Sequence, residues 1–130
     1  MSHDHLPLDK SALNFTQVKN LLALNQPVSI TAGATKSINE CRDYLDKKLN
    51  SGDGLFYGIN TGFGYLQNVK IDNTQLHQLQ SNLLQSHACG LGEEVPAAIV
   101  KLMMMLKIKS LSYGHSGVQL DTVNRLVDMY

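Results

Sequence analysis

The sequence of 130 residues has no excess of either charge and little cysteine. Eleven lysines and arginines balance eleven aspartates and glutamates, so the net charge does not attract the chain to nucleic acid or to a membrane surface. The two cysteines, Cys41 and Cys89, lack metal-ligand spacing and are expected to stay reduced, and no metal site is predicted. The first residues lack the basic and apolar regions of a signal peptide. We therefore expect a cytoplasmic protein with the length of a single domain.

A glycine-rich stretch from Tyr57 to Gly64 is the most informative part of the sequence. Gly58, Gly62 and Gly64 allow tight backbone turns, so the stretch is predicted to form a compact loop. It does not match a dinucleotide-binding fingerprint, because Gln67 stands where the third glycine is required.

The tyrosine at the rim of this loop suggests acid–base chemistry. Free tyrosine has a pKa near ~10, so a tyrosine that acts as a base needs surroundings that stabilise its phenolate. Backbone N–H groups gathered in a glycine-rich loop can provide them. The structural alternative places Tyr57 at the end of a strand, packed against a tight turn.

Apolar residues at helical spacing predict an amphipathic helix from Thr74 to Cys89, with Gly90 as its end. His87 lies four residues after Leu83 and continues the apolar face. A histidine at such a position is either a core residue with satisfied hydrogen bonds or a pocket residue that handles protons or recognises a ligand.

A second strongly apolar segment lies near the end of the chain. Pro96 and Gly114 bracket a predicted helix from Pro96 to Tyr113, and the periodicity continues through Val118–Tyr130. The apolar surface of the first helix is wider than a stripe, so we expect it to be buried on most sides or to make a subunit contact. Its methionines are expected in the core and not at a metal.

The remaining patterns predict short elements in the first half of the chain. Thr16 is expected to cap a helix ending at Leu24, and Val28–Thr31 alternates like an edge strand. Ser37–Glu40 has the form of a capping box that opens a helix ending at Gly52. The chain is therefore predicted to be mainly α, with two or three short strands.

Three segments, in this order and spacing, resemble the aromatic amino acid ammonia-lyases. They are the Tyr57–Gly64 loop, Leu79–Gly92 and Leu106–Gly117, and the resemblance runs from about Leu13 to the end of the chain. Within that family, the Ser-His pair at Ser86 and His87 is similar to the histidine-specific members.

The resemblance implies the elimination of ammonia from L-histidine to give trans-urocanate, on the helical fold of that family. It implies that Tyr57 is the catalytic base that removes the β-proton, that His87 and Ser86 bind the substrate, and that Gly58, Asn60, Gly62 and Gly64 form the loop. Family members use a methylidene-imidazolone electrophile, made autocatalytically from an internal Ala-Ser-Gly, and assemble as homotetramers. Tyrosine or phenylalanine ammonia-lyases and aminomutases of the same fold remain alternatives, as does a non-catalytic structural or interaction module.

The sequence departs from the family in four respects. It contains no Ala-Ser-Gly, and its helical pattern continues to Tyr130, so we expect an N-terminal piece that ends before the central helical bundle and is inactive alone. Its apolar helices are then expected to self-associate. Lys107 stands where many relatives have Arg, and Lys109 where most have Asn, which puts a charge at a packing position.

The expected divisions are a flexible terminus at 1–12, a small α+β part with the Tyr loop at 13–92, and the start of long helices at 93–130.

Overall fold

A computed structural model describes residues 5–52 and 54–130, and this part of the chain is mainly helical. The predicted fold class, mainly α with a few short strands, is confirmed. The elements in chain order are β1 (Leu6–Leu8), α1 (Phe15–Leu24), β2 (Val28–Ile30), α2 (Ala32–Asn50), α3 (Leu76–His87), α4 (Ala97–Leu111) and α5 (Leu120–Met129), with short 3₁₀ turns at Gly64–Leu66 and Asn73–Gln75.

The chain forms two compact units. The first joins the residues up to Asn50 to Val95–Tyr130, and the second consists of Ser51–Glu94. The helices of both units, within the residues described, are too short or too polar to cross a membrane. The predicted divisions after residues 12 and 92 stay predictions, and residues 1–4 lie outside the described residues.

The first unit is built around a two-stranded parallel sheet. Leu6 pairs with Val28 and Leu8 with Ile30. Parallel strands need a crossover connection, and α1 provides it. The predicted strand at Val28 is thereby confirmed. The buried core of this unit combines the sheet with α1, α2, α4 and α5, and its members are Leu8, Leu21, Val28, Ile38, Met105, Ile108, Leu111 and Val123.

Helix α1 begins two residues earlier than predicted, because Asn14 and not Thr16 caps it. The Asn14 side chain accepts a hydrogen bond from the Gln17 N–H at 2.9 Å, and Gln17 Oε1 accepts one from the Asn14 N–H at 2.9 Å. This reciprocal pair satisfies two backbone donors that a helix start otherwise leaves free. The predicted Thr16 cap is therefore wrong, although the predicted end at Leu24 is confirmed.

Helix α2 begins at Ala32, so the predicted start at the Ser37–Glu40 box is wrong. Thr31 Oγ1 accepts a hydrogen bond from the Ala34 N–H at 3.2 Å and stabilises the first turn. Ala34 itself is buried, and this packing keeps a Gly- and Thr-containing stretch helical. Farther along the helix, Ile38 is buried in the core.

Helix α4 spans Ala97–Leu111, so it starts one residue after the predicted Pro96 and ends two residues before the predicted Tyr113. It presents only one side to the core. Met105, Ile108 and Leu111 are buried. Met103 and Leu106 on the other side are 62% and 49% exposed. Within this chain the helix is therefore not buried on most sides, and an apolar strip of it stays open to solvent.

The loop between α4 and α5 fits closely against α2. Gly114 and Gly117 have φ values of 68° and 67°, which side chains rarely adopt. A Cβ on Gly114 would stand 2.5 Å from the Ser37 carbonyl oxygen. The Arg42 guanidinium donates a hydrogen bond to the Gly117 carbonyl at 3.3 Å and fixes the other end of the loop. The loop therefore has no room for a side chain at Gly114.

Lys109, the charged residue at a packing position of α4, is buried, and backbone carbonyl oxygens bind its ammonium group in place of water. Its ammonium donates to the carbonyl oxygens of Asp9 and Ser11 and lies 5.1 Å from the centre of the Tyr113 ring. Hydrogen bonds from Ser11, together with the nearby charge of Lys109, lower the pKa of the Asp9 carboxyl below its ordinary value. The lysine therefore ties the β1–α1 loop to α4, a connection that a shorter amide side chain would make differently.

Candidate active site

The second unit contains the glycine-rich loop, and the Asn60 side chain closes it. Asn60 Oδ1 accepts a hydrogen bond from the Phe56 N–H at 2.7 Å, and its Nδ2 donates to the Gly54 carbonyl at 2.9 Å. The Asn60 carbonyl accepts from the Ile71 N–H at 2.9 Å. Because Asn60 is only 7% exposed, these bonds compete little with water. One residue therefore joins the backbone just before the Tyr57–Gly64 loop to the backbone after it.

Thr61 makes the second set of internal connections. Its hydroxyl accepts a hydrogen bond from the Gly58 N–H at 3.3 Å and donates to the Gly62 carbonyl at 3.0 Å, and its side chain is fully buried. Thr61 also pairs with Lys70 in an isolated antiparallel bridge. The Thr61 side chain thus satisfies one backbone donor and one backbone acceptor of the loop, and the bridge to Lys70 joins the loop to the residues that follow it.

The three predicted loop glycines meet two different requirements. Gly58 and Gly64 have φ values of 73° and 56°, in the left-handed region that favours glycine. Gly62 is needed for space, because a Cβ there would lie 2.6 Å from Leu66 Cβ and 2.9 Å from the Leu66 carbonyl oxygen. The pattern of glycines is explained by the backbone of the loop itself.

Tyr57 lies on the outside of this closed loop. Its side chain is 64% exposed, and its ring meets the Phe63 ring edge-on, with centroids 6.1 Å apart and planes at 71°. Leu55–Tyr57 is not a strand, so the alternative that places Tyr57 at a strand end is wrong in that respect. The phenol thus stands on a surface whose backbone is already fixed.

Ser86 and His87 form the end of α3, and both are exposed. His87 Nδ1 lies 3.0 Å from the Leu83 carbonyl oxygen and 2.9 Å from Ser86 Oγ. A carbonyl oxygen only accepts hydrogen bonds, so the Leu83 contact favours the tautomer with the proton on Nδ1, in which Nε2 is the acceptor nitrogen. The alternative that His87 is a core residue is wrong for this chain.

Helix α3 spans Leu76–His87 and is two residues shorter at each end than the predicted helix from Thr74 to Cys89. A 3₁₀ turn at Asn73–Gln75 precedes the helix, and Thr74 donates two hydrogen bonds to the Asp72 carboxylate, at 2.8 Å from its N–H and 2.6 Å from its hydroxyl. These bonds lower the pKa of Asp72. At the other end the helix stops at His87, two residues before the predicted Cys89.

A shallow groove of about 240 Å³ runs beside the first half of α3. Leu79 and Ile71 give it apolar surface, and Gln78 donates a hydrogen bond to the Asn82 side-chain oxygen at 2.7 Å across its rim. Asn82 lies one helical turn before Ser86, on the same side of α3. The lining of the groove ends at Asn82, one turn before the predicted binding pair Ser86 and His87.

The predicted site residues all belong to the Ser51–Glu94 unit, but not all are in contact. Among the described residues, hydrogen bonds join Ser86 to His87 and join the loop residues to one another, and neither a hydrogen bond nor a ring contact links Tyr57 to His87. Within the same described part, no three acidic, histidine or cysteine side chains are grouped as metal ligands would be.

Two residues that support the loop were not predicted. Thr61 binds the backbone N–H of Gly58, the residue after Tyr57, and the Phe63 ring packs edge-on against the Tyr57 ring. The only signal in the sequence is their position between glycines, where a threonine hydroxyl can replace a missing backbone partner.

Known protein sequences match this chain over most of its length. A family model described as aromatic amino acid lyase matches residues 13–130. Histidine ammonia-lyase from Deinococcus radiodurans is 43% identical over 115 residues, which cover 88% of this chain and 22% of that protein. Histidine ammonia-lyase from Shewanella woodyi is 38% identical over 125 residues, which cover 96% of this chain and 24% of that protein.

Solved structures agree with the sequence matches. Histidine ammonia-lyase from Trypanosoma cruzi superposes with a TM-score of 0.81 and 30% identity, over 95% of this chain and 24% of the other. Tyrosine aminomutase from Streptomyces globisporus superposes with a TM-score of 0.84 at 22% identity, over 96% of this chain and 24% of the other, which is a likeness of fold. The chain thus spans about a quarter of the length of these relatives. Because the family model covers nearly every residue and the fold agrees, the chain belongs to the aromatic amino acid lyase family.

Proposed function

We propose that this chain carries the proton-accepting tyrosine and part of the substrate pocket of a histidine ammonia-lyase, an enzyme of histidine degradation. The observation that carries the proposal is the placement of Tyr57, an exposed phenol on a loop that the Asn60 and Thr61 side chains hold closed. The names of the relatives with 43% and 38% identity support histidine as the substrate.

The proposed reaction breaks two bonds of L-histidine and forms one. The β-carbon loses a proton to the phenolate oxygen of Tyr57, and the electron pair of that C–H bond forms the double bond between the α- and β-carbons. The C–N bond at the α-carbon breaks, and ammonia leaves to give trans-urocanate. A rigid loop suits this role, because a base held in position avoids the entropic cost of reaching its proton.

His87 and Ser86 are proposed to recognise the substrate side chain. With the proton on Nδ1, Nε2 of His87 accepts a hydrogen bond, and the N–H of the substrate imidazole is a matching donor. A phenyl ring has no such donor, so phenylalanine would leave this nitrogen without a partner. A tyrosine substrate carries a donor of its own, on its phenol, so tyrosine is included in the test below.

The electrophile of the reaction must come from outside these residues. Residues 1–130 contain no Ala-Ser-Gly, so none of them forms a methylidene-imidazolone group. When present, that group supplies the electrophile that helps the amine to leave. The chain alone is therefore proposed to be inactive. The active enzyme is proposed to be a homotetramer. It is proposed to be cytoplasmic, in keeping with the unpaired thiols of Cys41 and Cys89.

The proposal is tested in a chimera in which these 130 residues replace the matching segment of the Deinococcus radiodurans enzyme. Tyr57→Phe keeps the ring and removes the basic atom, so kcat should fall at least ~100-fold with little change in KM. Tyr65→Phe is the matched control, because Tyr65 is fully exposed in the same unit and should leave kcat unchanged. Growth of urocanate absorbance reports the rate.

The substrate assignment is tested in the same chimera with His87→Leu. KM for histidine should rise, and turnover of phenylalanine and tyrosine should increase relative to histidine. An unsubstituted chimera that folds and prefers tyrosine would identify a tyrosine-specific lyase or aminomutase instead. A folded chimera that yields no product from any of the three, or a Tyr57→Phe chimera with near-normal kcat, would leave the segment a structural module.

A further inference from the structure

The hydroxyl of Thr61 occupies a position that no sequence pattern assigned. It is the fully buried oxygen at the centre of the loop, and it joins the Gly58 N–H, 3.3 Å away, to the Gly62 carbonyl, 3.0 Å away. A hydroxyl is the one neutral side-chain group that accepts and donates through a single atom, so threonine or serine meets both needs here. Valine has the same shape and meets neither.

The Gly58 N–H belongs to the peptide group that follows the Cα of Tyr57. Fixing the plane of that peptide fixes ψ of Tyr57 and with it the direction of the Tyr57 Cα–Cβ bond. Gly58 needs this support, because its φ of 73° lies outside the common backbone regions. The hydrogen bond to Thr61 therefore orients the tyrosine through the backbone.

The Phe63 ring provides a second hold, but a weaker one. It meets the Tyr57 ring edge-on at 6.1 Å, while most of the tyrosine surface is exposed. One edge contact limits the tilt of the ring and does not set its position. The phenol oxygen is roughly 6 Å from Cα, so a backbone rotation of about 10° moves it by roughly 1 Å. An error of that size in a reacting group can lower a rate by about 10²-fold.

We infer that Thr61 is a positioning residue for Tyr57, acting through the Gly58 peptide, and this inference rests on the proposed function of Tyr57 as the base. Thr61 does not reach the substrate, since its side chain is buried and both of its hydrogen bonds are made within the loop. Its effect is on where the phenol stands.

The first test uses the 130-residue chain itself and NMR of its amides. In Thr61→Val, the Gly58 amide should exchange about 10-fold faster or more, and its order parameter should fall from about 0.85 towards 0.6. Thr61→Ser should keep both values. Thr31→Val is the matched control, because Thr31 Oγ1 likewise accepts from a backbone N–H, that of Ala34 at 3.2 Å, but belongs to the other unit. Unchanged exchange and order at Gly58 in Thr61→Val would overturn the inference.

The second test measures turnover in the chimera. Thr61→Val should lower kcat by about 10–100-fold with KM within about twofold, and Thr61→Ser should restore kcat. In the Tyr57→Phe background, Thr61→Val should add no further loss, because its effect passes through the phenol. If Thr61→Val and Thr61→Ser lower kcat equally, or if Thr61→Val lowers kcat as much in the Tyr57→Phe background as in the unsubstituted chimera, Thr61 has only a general packing role.

The two tests separate the inference from the proposal beneath it. A large loss for Tyr57→Phe beside normal kcat for Thr61→Val removes only the positioning role. Near-normal kcat for Tyr57→Phe removes the proposed function. If the unsubstituted chimera does not turn over, the Gly58 amide decides whether Thr61 orients this peptide.

Discussion

Replacing Gly114 with alanine tests the close fit between the α4–α5 loop and helix α2. Two costs add at this position. An L-residue at a φ of 68° costs about 1–2 kcal/mol. The new Cβ would also stand 2.5 Å from the Ser37 carbonyl oxygen, a backbone atom of a helix that cannot rotate away. Overpacking of that kind costs about 1–3 kcal/mol, so the total should be about 2–5 kcal/mol.

Gly117→Ala is the control that isolates the steric part. Its φ of 67° matches that of Gly114, and it lies in the same loop and the same compact unit. A Cβ there would approach Leu45 Cδ2 at 2.6 Å, but this atom is the end of a flexible side chain and can move. Gly117→Ala should therefore cost only the backbone share, about 1–2 kcal/mol.

Urea unfolding followed by far-ultraviolet circular dichroism measures both free energies, since the chain has no tryptophan to report by fluorescence. Gly114→Ala should lower the free energy of unfolding by at least about 1 kcal/mol more than Gly117→Ala. Equal losses would show that the Ser37 backbone yields to the methyl group and would refute the rigid fit.

Three further predictions concern the chain as a whole. The 130-residue chain should produce no urocanate from histidine, because a tyrosine alone cannot remove an unactivated β-proton; growth of absorbance above a buffer blank from a pure sample contradicts this. The chain should self-associate through its exposed apolar surface, where Phe15 is 96% and Leu106 49% exposed. Light scattering should show a smaller assembly for Phe15→Asp, and a wild-type chain that is strictly monomeric at high concentration argues against the prediction. The hydrogen bonds from Thr74 depress the pKa of Asp72, so they stabilise the fold above about pH 4 and this contribution is lost as the pH falls; Asp72→Asn should flatten that acid decline of the melting temperature, and an unchanged decline would exclude the contact.

The sequence predicted helices well where a backbone rule acts on one residue. Pro96 cannot continue a helix towards its N-terminal side, and α4 indeed starts directly after it. Helix starts were predicted less well where two candidates compete. Asn14 and Thr16 can both cap, and the reciprocal bond with Gln17 decided in favour of Asn14.

Contacts between distant segments were beyond prediction. The early start of α2 depends on the burial of Ala34, which only the packed core provides. The burial of Lys109 depends on the carbonyl oxygens of Asp9 and Ser11, about a hundred residues away in the chain. Inside the Tyr57 loop, the glycine spacing indicated a closed turn, but which side chains close it could be learned only from the hydrogen bonds of Asn60 and Thr61.

The interruption of the first unit by the second has a consequence during synthesis. Leu8 and Leu21 share a core with Met105 and Ile108, so the early helices leave the ribosome long before their partners exist. At about 5–20 residues per second, their apolar faces wait several seconds for cover. The Ser51–Glu94 segment is continuous and needs no such delay. We therefore expect the loop that bears the tyrosine to be ordered on the nascent chain first, while the first unit waits for α4 and α5 to be made.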